Sequence, residues 1–293
     1  MARALASLLK LLRYRFLLIA GLFPYCLGAA VAFYRQGQFD LGLFLVGLLG
    51  IFFALVGVEA FNEFFDFQLG SDRVFQLDVK AVTRKTFFIG IFAFFLAFCV
   101  AVFLTYKLGI AVIIFAFSGF FAAFFYLGPP LKLTYRGFGE IIIALAYGPL
   151  MMLGSYYVQS QRIDTLPFFI SLIPAGLLFC VSIMNEVPDY FQDKLVGKRN
   201  ICVRIGQKRT VKLYGSILIL FYLNLLIGLL LGKFPGFVGF IFVFFPVGLL
   251  SYIIGMRTCD NPRLFLPAIR YTIIHYLIVV AIFIFGYIFA AAR

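Results

Sequence analysis

Long apolar runs follow one another along this chain with only short polar stretches between them. A helix needs roughly 18 to 20 apolar residues to cross a bilayer, and these runs reach that length repeatedly. A bilayer leaves backbone polar groups no water, so such runs must fold as helices that satisfy themselves. Nine spans are expected, at 16–34, 40–61, 86–105, 109–127, 139–158, 167–187, 211–232, 236–255 and 269–291. Only 13% of the 293 residues are charged and the mean hydropathy is +1.07, far from a soluble domain, in which about a quarter are charged. The expectation is an all-α membrane protein forming one polytopic domain over residues 1–293. Met1 to Arg15 is a basic lead into the first span without the pattern of a cleavable signal peptide. Cys26, Cys99 and Cys180 lie inside apolar segments, and together with Cys202 and Cys259 they make neither a disulfide framework nor a CxxC metal site.

The net charge of +13 sits in short loops between spans, which argues against nucleic acid as a partner and for topology and phosphate contacts. With nine spans, 20 of the Lys and Arg residues fall on the side of the N-terminus and 5 on the other. The positive-inside rule then puts the N-terminus in the cytoplasm and the C-terminus outside. One span more or fewer would scramble that alternation.

Against this background acidity is gathered, not scattered: eight of the 12 acidic residues are Glu59, Glu63, Asp66, Asp72, Asp78, Glu186, Asp189 and Asp193. If the helix of the sixth span continues, Glu186, Asp189 and Asp193 fall at i, i+3 and i+7 and share a face. Clustered carboxylates call for a cation, and an oxygen-preferring divalent ion such as Mg²⁺ carrying a phosphorylated substrate meets that need. Asn62 and Asp66 close the second span in the same way, each 123 residues before Asn185 and Asp189. The equal offset suggests an internal duplication, a pseudo-repeat of four plus four helices and a final helix around a central cavity. The adjoining loops bring Arg73, Lys80, Lys132, Lys198, Arg199 and Arg204, donors suited to diphosphate oxygens. An ion-coupled carrier is a reading of another class, but carriers hold their acids near mid-bilayer, where this chain has little besides Glu59. Phosphatidyltransferases acting on CDP-alcohols also use aspartates on membrane helices, yet their Asp-Gly-x-x-Ala-Arg signature is missing.

These residues resemble the UbiA superfamily of intramembrane aromatic prenyltransferases. Asn62-x-x-x-Asp66 with Asp72 resembles its first aspartate-rich motif, and Asp189-x-x-x-Asp193 followed by Gly197-Lys198-Arg199 and Val203-Arg204-Ile205-Gly206 resembles its second. Tyr126-Leu-Gly-Pro-Pro-Leu-Lys132, with Gly139-Glu140 beyond it, is similar to the family's loop between helices four and five. Gly70 stands where many branches carry the last acid of the first motif, and Asp72 looks like the branch that prenylates 1,4-dihydroxy-2-naphthoate in menaquinone biosynthesis.

The resemblance implies a metal site of Asn62, Asp66, Asp189 and Asp193 holding Mg²⁺, with Asp72 assisting and Asp66, Asp72, Asp189 and Asp193 counted as catalytic. It implies a polyprenyl diphosphate donor, for example geranylgeranyl diphosphate, contacted by Arg73, Lys80 and Lys132, with Arg13 a further candidate and Tyr126 near the site. The acceptor would be aromatic, with a geranylgeranylglyceryl phosphate lipid as the alternative, and the site would face the cytoplasm within membrane lipid. The 41 Phe and 16 Tyr can line a dry cavity, but most will face lipid or core. His275, the single histidine, reads as structural.

Overall fold

The structure is a computed structural model that describes residues 21–69 and 84–292. Every regular element among the described residues is helical, with no strand. Residues 21–36 form α1. It is followed by α2 (Leu41–Leu69), α3 (Arg84–Leu108) and α4 (Ala111–Leu127). After a short 3₁₀ turn, Leu133–Arg136, come α5 (Gly139–Leu145), a π turn (Ala146–Leu150) and α6 (Met151–Ser160), which together make one span. Then follow α7 (Thr165–Glu186), two short helices α8 (Tyr190–Leu195) and α9 (Ile201–Ile205), α10 (Gln207–Leu230), a 3₁₀ stretch (Gly236–Phe244), α11 (Phe245–Thr258) and α12 (Pro262–Ala291). Among the described residues seven helical segments are long and apolar enough to cross a membrane, and Ala111–Tyr126 is a shorter apolar helix.

Helix α7 is the axis of the bundle. Its apolar window is 67% buried, against 22–33% for the other long spans, and it packs on α5, the π turn, α6, α10 and α12. Ile170, Ile183 and Met184 are completely buried on it. Outer helices instead expose large apolar side chains such as Phe88, Phe92 and Phe95 of α3. That pattern suits a lipid solvent, in which an exposed Phe carries no hydrophobic penalty.

Without a hydrophobic drive between helices, close approach and buried hydrogen bonds must hold the bundle. An added Cβ on Gly28 would stand 2.2 Å from the Met152 carbonyl oxygen, so glycine lets α1 meet α6, where the Ser155 hydroxyl donates to the Tyr25 carbonyl at 2.5 Å. Gly148 makes the same close approach to α7, with Ala175 Cβ 2.4 Å from the position of an added Cβ. Between α10, α11 and α12, the Tyr214 hydroxyl donates to the Gly248 carbonyl at 3.0 Å, and Ser251 meets Thr272 at 2.7 Å. His275 joins this polar seam, its Nε2 2.8 Å from the Tyr222 hydroxyl, in keeping with a structural role.

Candidate active site

The second acidic cluster departs from the continuous helix expected of it. Helix α7 ends at Glu186, a turn covers 187–189, and Asp189 stands at the N-cap of the separate short helix α8. One helical hydrogen bond, Asp193 N–H to the Asp189 carbonyl at 2.8 Å, keeps those two residues a turn apart on the same element. Glu186 is thereby released from their face, and its carboxyl turns toward Glu140 at the start of α5.

Asp193 is only 4% exposed, and its surroundings are built to hold a carboxylate. Its Oδ2 accepts from the Asn200 side-chain amide at 2.6 Å, and its Oδ1 lies 3.6 Å from Lys198 Nζ. Burial pushes the Asp193 carboxyl above its ordinary range, the Lys198 ammonium draws it back, and neighbouring Asp189 adds to the rise. Asn200 is itself fully buried, and its Oδ1 accepts from the Val203 N–H at 2.8 Å, capping α9. A single side chain thus closes a helix with one end and aims a carboxylate with the other. Burial pushes the nearby Cys202 thiol up to about 12, which keeps it protonated and unreactive.

The loop between α4 and α5 docks against this unit. Glu140 is wholly buried, and its Oε1 accepts from the Ile201 N–H at 2.6 Å. Arg204 donates through Nε to the Arg199 carbonyl at 2.8 Å and through Nη2 to the Arg136 carbonyl. The Gln207 amide donates to the carbonyls of Val187 and Cys259, each at 2.9 Å, tying the end of α7 to α10 and α11. Lys132 sits in this loop with a left-handed backbone, φ 44°, just before the 3₁₀ turn. Tyr126, near the end of α4, lies in electrostatic reach of the Tyr147 hydroxyl, as does Glu59.

The first cluster lies on α2. Asn62 is half-buried there, beside an aromatic clamp in which Phe61 stacks on Phe87 at 5.3 Å between centroids. Asp66 follows one turn later in the backbone of α2, and its side chain lies outside the described residues. Asp72, Arg73, Lys80 and Arg13 also lie outside them. Asp189 and Asp193 are the two predicted ligands whose side chains the structure brings into electrostatic contact. Among the described residues no three His, Cys, Asp or Glu side chains converge closely enough to hold a metal ion by themselves.

The donors present nevertheless fit a hard divalent cation. They are oxygens throughout, and the Oε2 atoms of Glu140 and Glu186 are buried beside this cluster without a hydrogen-bond donor. Holding Glu140, Glu186 and Asp193 ionised together would call for more positive charge than Lys198 supplies.

A sequence model described as the UbiA prenyltransferase family matches residues 21–266. The chain belongs to that family. The matched region contains both acidic clusters and the α4–α5 loop of this UbiA family member. Among its relatives, the 1,4-dihydroxy-2-naphthoate octaprenyltransferase of Bacillus subtilis is 25% identical over 206 residues, covering 68% of this chain and 66% of that one. The 2-carboxy-1,4-naphthoquinone phytyltransferase of Synechocystis is 29% identical over 228 residues, or 72% and 70% of the two chains. The chain thus spans about two thirds of the length of these curated relatives. A UbiA homologue from Archaeoglobus fulgidus, solved bound to DMAPP and Mg²⁺, superimposes with a TM-score of 0.61 at 19% identity, covering 95% of this chain and 98% of the other, and shares the fold.

Sequence reasoning missed Asn200, Gln207 and the pairing of Glu140 with the backbone of α9. Asn200 carried a readable signal, an Asn just ahead of a helical turn, which is the signature of an N-cap. Gln207 carried none.

Proposed function

We propose that this protein is a Mg²⁺-dependent prenyltransferase that moves a polyprenyl group from an allylic diphosphate to an aromatic acceptor, 1,4-dihydroxy-2-naphthoate, in menaquinone biosynthesis. The observation that carries the proposal is the buried Asp193 carboxylate, one turn from Asp189 and braced by Asn200 and Lys198. The names of the Bacillus and Synechocystis relatives support the naphthoate-type acceptor. The homologue solved with DMAPP and Mg²⁺ supports the donor and the metal.

Asn62, Asp66, Asp189 and Asp193 would hold the metal, with Asp72 assisting. Bound Mg²⁺ neutralises diphosphate charge and so makes the diphosphate a better leaving group from the allylic carbon. Lys132, Arg73, Lys80 and Arg13 would contact the diphosphate oxygens, with Tyr126 near the site. The apolar and aromatic walls exclude water, which would otherwise capture the allylic cation. The allylic C–O bond ionises with its electron pair leaving on the diphosphate, the acceptor ring attacks the resulting cation to form the new C–C bond, and the ring regains aromaticity by releasing its carboxyl group as carbon dioxide. The proposal includes one domain of nine crossings with a four-plus-four pseudo-repeat, and a site on the cytoplasmic side together with the N-terminus.

The test is transfer from radiolabelled geranylgeranyl diphosphate by the purified chain in lipid, with and without Mg²⁺. Dihydroxynaphthoate and geranylgeranylglyceryl phosphate are offered separately, and Asp66→Ala and Asp189→Ala run alongside. Mg²⁺-dependent product from dihydroxynaphthoate, lost in both variants, is expected. Product from the lipid phosphate alone would overturn the acceptor. Loss of both turnover and Mg²⁺-dependent donor binding in the unaltered chain would overturn the reaction class.

A further inference from the structure

Of the 12 acidic residues, Glu59 alone lies more than a turn inside an apolar span, six residues from the end of Leu41–Phe65. A carboxylate at the centre of a span costs on the order of 3 kcal/mol to insert, and one kept inside a span points to function. Its Oε1 is completely buried, so the carboxyl points into the bundle and not into lipid.

Its surroundings are aromatic and polar. Glu59 and Tyr126 both lie in electrostatic reach of the Tyr147 hydroxyl, as does the Tyr276 hydroxyl of α12. Tyr147 belongs to the π turn, the widened stretch between α5 and α6 that contains Pro149. A π turn shifts the residues around it out of helical register, and such turns gather at functional sites. Helix α1 also comes close here: a Cβ added to Gly21 would stand 2.9 Å from both Leu55 and Tyr147.

Depth decides what this carboxyl can meet. On α2, positions 59, 62 and 66 follow at i, i+3 and i+7, one stripe of the helix. Seven residues of helix span about 10 Å. A diphosphate bound at the level of position 66 therefore leaves Glu59 about 10 Å deeper on the membrane side.

We propose that Glu59 is the acceptor-selecting residue of the site: its carboxylate accepts a hydrogen bond from a hydroxyl of the aromatic acceptor, with the ring lodged between Tyr147 and Tyr126. This rests on the prenyltransferase reading above and adds the chemical group by which the acceptor is recognised.

The experiment measures equilibrium binding of dihydroxynaphthoate and of its di-O-methyl ether to the full chain in lipid. Mg²⁺ and an unreactive thio analogue of geranylgeranyl diphosphate are present throughout. The unaltered protein is expected to prefer the free diol, and Glu59→Gln to weaken the diol by about 10- to 100-fold, as befits a lost charge-assisted hydrogen bond. Binding of the ether and Mg²⁺-dependent binding of the donor analogue should stay unchanged. Glu59→Asp, which keeps the charge on a shorter arm, should recover part of the preference for the diol. Equal weakening of diol and ether, or no change in either, overturns the proposal. If Glu59→Gln also loses the donor analogue, Glu59→Asp decides: retained donor binding with a partial diol preference upholds the proposal, and any other result overturns it. Failure of the unaltered chain to bind any aromatic acceptor would instead defeat the acceptor reading itself, and this inference with it.

Discussion

Asn200 does two jobs with one amide, capping α9 through Oδ1 at 2.8 Å and holding Asp193 through Nδ2 at 2.6 Å. The two functions separate by mutation. Asn200→Ala should lose about 1 kcal/mol from the cap and leave a buried carboxylate short of a donor. A partner that orients a metal ligand is typically worth about 10- to 100-fold in metal affinity. The expected result is a lowered melting temperature together with a rise of that size in the Mg²⁺ concentration needed for half-maximal transfer. Asn200→Ser keeps a cap but reaches less far, so it should recover stability more than Mg²⁺ dependence. A loss of stability with unchanged Mg²⁺ dependence would show that Asp193 does not need this brace.

At the scale of elements, the end of α2 is set by aromatic packing against α3. A Cβ on Gly90 would come within 2.5 Å of the Phe61 ring, so the ring fits only because position 90 has no side chain. Gly90→Ala should therefore push Phe61 outward, and with it the neighbouring Asn62. Overpacking of this kind costs about 1–3 kcal/mol, and transfer activity should fall alongside stability. Phe61→Leu in the Gly90→Ala background should restore part of both, a coupling that thermal denaturation and initial rates of the four proteins would measure. Strict additivity of the two changes would mean that this contact does not govern the helix end. The second motif illustrates the same scale differently: the three-residue turn between α7 and α8 keeps Asp189 and Asp193 together and leaves Glu186 facing Glu140.

Over the whole molecule, helix α7 is the buried axis and the outer helices are solvated by lipid. Replacing Ile183, which is completely buried on α7, by Ala should cost about 2–5 kcal/mol. Phe92→Ala, on the exposed face of α3 at 62% exposure, should change stability by less than about 0.5 kcal/mol, because lipid replaces the lost contacts. Thermal unfolding of both variants in the same lipid mixture would check the contrast. Similar losses in the two would mean that α7 is not the centre of the bundle.

Much of this was legible before any coordinates, and for a physical reason. Bilayer insertion acts on each segment separately, so hydropathy alone announces helices such as Leu41–Phe65 and Thr165–Glu186. Helical period is equally local, so the spacing of Asn62 from Asp66 and of Asp189 from Asp193 shows in the chain itself. Pairings between distant positions are not local. The hydrogen bond between Glu140 and Ile201 joins residues 61 apart, and Gln207 bridges to Cys259 over 52. Glu59 stood out in the sequence only as a misplaced charge, and the fold is what brings it within electrostatic reach of Tyr147. Sequence determined which segments cross the membrane and which residue types end them. Tertiary structure alone decided which carboxylates are buried together and what braces them, because each span's own hydropathy is satisfied in many arrangements, and only close packing selects one.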